Sequence, residues 1–190
     1  MNIGTATRVL RDELPHFPQA GLTDYSIYAE DVAFTEPYRT HFHCHGRRWY
    51  KLLAATVHSA LKMAFVDADF CVVGIQQRRG NQGAIDDAAK ESKEDSHSDG
   101  GADDIQLVVR WIFEGTPRLS PSSPDAIRSV YEGVFVYVFD AEGLVKEHRL
   151  EAIHPSPPFV ISWMAAAFGV PGRPPVATSS HLGMKYRDRS

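Results

Sequence analysis

With 190 residues, 43% of them hydrophobic, the chain can bury one sizeable core, and its length favours one domain with appendages over two. A net charge of −4 and a pI near 6.1 lack the basic excess needed to neutralise phosphates, which disfavours broad nucleic-acid binding. Two cysteines, Cys44 and Cys71, are too few for a disulfide framework and fall within expected strands, so a reducing compartment is expected.

The N-terminal stretch has no long apolar run, and Asp12 and Glu13 stand where an organelle presequence avoids acids, so no cleavable signal is expected. Two short helices are predicted, over 5–14 and 22–28, with Thr23 capping the second and Leu22, Tyr25 and Tyr28 on its apolar side. Over 31–37 the alternation of Val32 and Phe34 predicts a short strand that Pro37 interrupts, and Glu36 falls on their face.

Between Arg47 and Phe65, Trp49, Leu52, Leu53, Val57, Ala60, Leu61 and Ala64 recur at helical spacing, with Arg47, Lys51, His58 and Lys62 on the wet side. A strand is expected over 68–77 with Cys71, Val73 and Ile75 on one face. Residues 80–104 hold eight acids against two lysines, a net charge of −6, and no aromatic residue. Such a segment buries too little apolar area to offset its ordering entropy, and a loop is expected there. Its Gly100-Gly101 pair precedes no helix and is not a nucleotide signature.

Order resumes at 105–114, where Ile105, Leu107, Val109, Trp111 and Phe113 share a face. Strands are predicted over 130–139 and 144–153, joined by the hairpin signal Asp140-Ala141-Glu142-Gly143. Three strands in sequence predict an antiparallel meander. Val108, Ile112, Val134, Val136 and Val138 place apolar residues on its other face too, which implies that something covers the outside. The final apolar run, Phe159–Val170, is twelve residues long, too short to cross a bilayer, and prolines fence it on both sides.

Helices first, then a short strand, a long amphipathic helix and long antiparallel strands define an α+β arrangement, a curved antiparallel sheet wrapping the helix into a cone. This order resembles the nuclear transport factor 2-like, or SnoaL-like, superfamily with its cystatin-like cone. Tyr25–Pro37 is similar to the "IY…D…F.DP" segment of an uncharacterised branch found in plants and animals. Arg110-Trp111, Gly115–Arg118, Tyr131-Glu132-Gly133, Glu147-His148 and Ile153–Pro158 fall where that branch carries its motifs. The resemblance covers roughly residues 8–158, an ordinary domain length. It makes 1–158 the cone domain, with the acidic insertion 80–104, and 159–190 a C-terminal arm with a short apolar helix and a basic tail. It also implies that relatives are often organellar, so the compartment is mitochondrial or cytoplasmic. Three features depart from the pattern: Glu36 stands for the usual aspartate, and segments 41–45 and 80–104 are foreign to it.

The stretch THFHCHG places His41, His43 and His45 at alternate positions. A zinc site needs ligands converging at about 2.0–2.3 Å, whereas next-nearest side chains on a strand start about 6.5–7 Å apart, so no metal is expected. His148 is the better single candidate, sharing with Leu144, Leu150 and Ala152 the less charged face of its strand, where a tuned imidazole could shuttle a proton. Glu36, on an apolar face, could act as a general base or pair with Arg39 or Arg110. Trp111 and Tyr137 are expected to line a cavity with Phe34 and Trp49.

Two functions compete. The first is a non-catalytic domain that binds a small apolar ligand or acts as a scaffold, a homodimer through the outer sheet face, with 154–190 docking on itself or on a protein partner. The second is a cofactor-independent lyase or isomerase with His148 and Glu36 as acid and base, a use this cone has elsewhere. A third reading makes the chain an accessory subunit of an organellar assembly, held by 154–190. No cofactor is expected.

Overall fold

A computed structural model of the chain describes residues 3–37, 41–79, 104–118 and 128–155. The acidic stretch up to residue 103, the interval 119–127, Arg39 and the C-terminal arm 159–190 lie outside the described residues.

Helix α1 spans Ile3–Glu13 and buries Ala6 and Leu10, in line with Leu14 in the 3-10 turn Leu14–His16 that follows. A four-residue helix α2, Phe17–Ala20, ends at Gly21, whose φ of 74° a side chain would strain. The helix expected over 22–28 does not form. Instead the Glu13 carboxylate accepts hydrogen bonds from the Thr23 and Asp24 amides, at 3.1 and 2.8 Å, and from the Thr23 hydroxyl. Asp24 in turn accepts from the Ser26 amide at 2.8 Å, an Asx turn. Held in this way, the segment runs as a loop into the first strand.

Strand β1 spans Tyr28–Glu36, β2 Phe42–His45, and helix α3 Arg47–Ala64. Strands β3 (Asp69–Arg79), β4 (Ile105–Gly115), β5 (Ser129–Phe139) and β6 (Val145–His154) complete a six-stranded sheet in the order β2-β1-β6-β5-β4-β3. The meander β3–β6 is antiparallel, as expected, and the Asp140–Gly143 turn closes its last hairpin, with Gly143 at φ 75°. The sheet is nonetheless mixed, because β1 lies parallel to β6. A strand that enters before α3 and a strand that ends the meander meet side by side only after the chain has wrapped the helix.

Bulges in β3, β5–β6 and β1–β6 bend the sheet and change which side chains face inward. In β3, Phe70 and Val72 pack inward while Cys71 and Val73 are exposed, and only after the irregularity at 72–74 does Ile75 join the core. In β6, Val145 and Ile153 take the inner places expected of Leu144 and Ala152. On the opposite face Val136 and Val138 are buried, and Val108, Ile112 and Val134 half-buried.

Helix α3 packs against β1 and β2 and is anchored at both ends. At its start the Gly46 amide donates to the Val32 carbonyl at 2.9 Å, and Arg47 donates to the Tyr28 carbonyl at 2.8 Å. At its end the Arg118 backbone amide donates to the Ala64 carbonyl at 2.8 Å, and the Arg118 guanidinium donates to the Lys62 carbonyl at 3.2 Å, placing a cation at the negative end of the helix dipole. The helix is rotated from the expected face: Tyr50, Leu53, Ala54 and Ala60 are buried, while Trp49 and Leu52 are 57% and 49% exposed. Tyr50 sets this rotation, since its ring packs 4.7 Å from that of Tyr28 and its hydroxyl is bonded inside the sheet. No described helix is long and apolar enough to cross a membrane.

Candidate functional site

The inner sheet face is built in rows, because the register aligns residues across several strands. Leu107, Tyr137, His148 and Phe34 lie abreast on β4, β5, β6 and β1. The next row is Val109, Phe135 and Leu150, and the third is Trp111, Gly133 and Ile153. Gly133 is required where it stands: a Cβ there would lie 2.0 Å from a carbon of the Trp111 ring, so the indole lies across the bare backbone.

Between these rows and α3 is a cavity of about 170 Å³. Helix α3 contributes Tyr50, Leu53, Ala54, Val57 and Leu61, and the N-terminal segment contributes Leu14, Phe17 and Leu22. No lining residue carries Asp, Glu, Lys or Arg chemistry. The volume is on the scale of a cavity of ~150 Å³ that stays dry and takes one benzene ring.

His148 is the polar centre of this wall. Its ring stacks on Tyr137 at 4.3 Å and meets Phe135 and Phe34 edge-on at 4.7 and 5.1 Å. Its Nδ1 lies 2.8 Å from the Tyr50 hydroxyl, and Tyr50 is hydrogen-bonded in turn to Tyr28. Burial pulls the imidazole down to about 3, so it is neutral at physiological pH. Burial also pushes the Tyr28, Tyr50 and Tyr137 phenols up, and the chain Tyr28–Tyr50–His148 carries no net charge at neutral pH. Which of the two atoms donates in the bond between Tyr50 and Nδ1 follows the imidazole tautomer. Nε2 and the Trp111 Nε1 are both buried with no hydrogen-bond partner among the described residues.

Four expected site residues therefore come together: His148, Trp111, Tyr137 and Phe34 all line the cavity. Trp49 does not, and its expected ligand contact is corrected by the rotation of α3. Glu36 is buried but is not among the lining residues; it sits two places beyond Phe34, and its backbone is about 8 Å from that of His148 by strand geometry. The sequence reading missed Tyr50 and Tyr28. The signal was present in the alternative face Tyr50, Leu53, Ala54, Val57 and Leu61, where a buried hydroxyl must find a partner. His41, His43 and His45 are exposed, the latter two with rings 6.4 Å apart, and among the described residues no group of three potential ligands is placed to hold a metal.

Fold and site together define an α+β arrangement, a curved six-stranded sheet and a long helix with an apolar space between them. A family model described as an uncharacterized conserved protein (DUF2358) matches residues 4–86. Among solved structures, the chain is similar to a nuclear transport factor 2-like protein of unknown function from Exiguobacterium, at 13% identity and TM-score 0.44, over 79% of this chain and 98% of that one. It is also similar to a nuclear transport factor 2 superfamily protein from Salmonella enterica, at 10% identity and TM-score 0.43, covering 82% and 92%. A protein of cystatin-like fold from Caulobacter vibrioides gives 16% identity and TM-score 0.41, covering 87% and 95%. No curated protein matches the chain.

Proposed function

We propose that the protein binds a small, neutral, largely apolar molecule inside the cone, without chemistry of its own. The single observation carrying this reading is the unfilled cavity of about 170 Å³ among Leu53, Val57, Trp111, Phe135 and His148, walled by apolar and aromatic side chains. A scaffold has no need of such a space, because close packing is the stable state of a core. The alternative of a lyase or isomerase has its histidine in the cavity wall and its carboxylate, Glu36, outside it.

Toluene tests the reading, since one ring matches the space. At ten times its dissociation constant, toluene is expected to raise the unfolding free energy by ~1.4 kcal/mol, a thermal shift of roughly 3–6 °C. A flat melting temperature up to the solubility limit of toluene would contradict it.

A further inference from the structure

We infer that residues 159–170 dock as a helix on an exposed apolar stripe of α3 in the same molecule, in the groove between that stripe and the end of β6. The docking is independent of the binding role proposed above.

One flank of α3 is covered. Lys51 lies over the Tyr25 ring at 4.8 Å, and the His58 ring packs 6.1 Å from that of Phe17, so the N-terminal segment occupies this side. The other flank is exposed: Trp49, Leu52 and Met63 are 57%, 49% and 68% accessible, and with Thr56 they follow steps of three, four and seven residues along one line. That line is ~21 Å long at a rise of ~1.5 Å per residue, and an apolar strip of this length marks a contact surface.

The topology brings the end of β6 to the same flank. The 3-10 turn Leu14–His16 packs on β3, at one end of the sheet order β2-β1-β6-β5-β4-β3, so the opposite flank of α3 is turned toward β2 and β1. There the pairing of β1 with β6 ends at Thr35 and Arg149, while β6 runs on to His154. Its half-buried Leu150 and Ile153 share a cavity wall with Val57 and Leu61 of α3.

From this point four residues, 155–158, span up to ~14 Å and lead into Phe159–Val170. Those twelve residues carry no charge, and their only hydroxyl is that of Ser162. A helix apolar on every side is a buried helix, and one of twelve residues is ~18 Å long, close to the length of the stripe. The outer sheet face offers less, because it is already covered: Arg78 of β3 donates to Gln106 of β4 at 2.9 Å and reaches Glu151 of β6 at 3.4 Å, and Val136 and Val138 on the strand between are buried. A tether of four residues also gives the segment an effective concentration that a second copy of the chain does not match.

Chymotrypsin, which cuts after Phe159, Trp163 and Phe168, reads whether the segment is held. In Leu52→Asp its cleavage within 159–170 is expected to accelerate about tenfold or more, since the burial of one leucine is lost from the docked state. In Val73→Asp, which alters a residue 59% exposed on β3, the rate is expected to change less than about twofold. A second measurement leaves the stripe intact: a nitroxide on Met164→Cys, in a chain carrying Cys44→Ala and Cys71→Ala, should broaden the backbone signals of Trp49, Leu52 and Met63 and leave that of Val73 sharp. Mixing the spin-labelled chain with an isotope-labelled chain that has no nitroxide should give no broadening, because the contact is within one molecule. Equal cleavage rates in the native chain, Leu52→Asp and Val73→Asp would overturn the inference. So would sharp signals along the stripe, broadening at Val73, or broadening in the mixture. None of these results touches the cavity, which toluene tests separately.

Discussion

Lowering the pH from roughly 6.5 to 4.5 is expected to cost the fold ~2.3 kcal/mol through His148 alone, and His148→Phe is expected to abolish that slope. Burial among Tyr50, Tyr137, Phe34 and Phe135 holds the folded-state imidazole at about 3, whereas in the unfolded chain it titrates near 6.5. Above about 6.5 neither state binds the proton and stability is full. Between about 6.5 and 3 the unfolded chain binds it and the folded chain does not, so stability falls by ~1.4 kcal/mol for each pH unit. Below about 3 both states bind it and no further loss comes from this group. Asp24 and Asp67, both lowered by hydrogen bonds from their neighbours, begin to add to the loss only near the lower end of this window and do so in both chains, so the difference between the native chain and His148→Phe isolates the imidazole. Urea melts at several pH values would show the slope in the native chain. Equal slopes in the native chain and His148→Phe would contradict the assignment of a neutral, buried imidazole.

Gly133→Ala is expected to cost ~3 kcal/mol, a drop of roughly 6–12 °C in melting temperature, although it adds a single methyl group. The new carbon would sit 2.0 Å from the Trp111 ring, itself stacked with Phe70 at 5.2 Å and packed against Phe135 at 5.0 Å, so the indole cannot yield without disturbing both. Combining it with Trp111→Leu should cost less than the sum of the two single changes by at least ~1 kcal/mol, because the leucine leaves room over residue 133. Strict additivity would show that the indole does not lie on the glycine.

Alternation made β4 legible: of the five residues expected on one face, Leu107, Val109, Trp111 and Phe113 are buried in the core and Ile105, at the strand's start, is half-buried, and the Asp140–Gly143 turn forms where its residues place it. The inner positions of Phe34, Trp111, Tyr137 and His148 followed from the same period of two. What the sequence hid were interactions between distant residues. Glu13 holds amides ten and eleven positions away, in a loop that stands where a helix was expected. Bulges add one residue to a strand, so parity counted from one end fails at the other, as Ile153 in place of Ala152 shows. The rotation of α3 was decided by the bond between Tyr50 and His148, ninety-eight positions apart, over a competing stripe headed by Trp49 that was equally apolar. Parallel pairing of β1 with β6 is likewise a consequence of wrapping the helix, which no local pattern encodes.

The account depends on there being real space between α3 and the inner sheet face, and xenon reports such space directly because it enters dry apolar cavities without needing a polar partner. Crystals of the protein pressurised with xenon should show an atom bounded by Leu53, Val57, Trp111, Phe135 and His148. Side chains closed over that position, with no xenon among them, would contradict it.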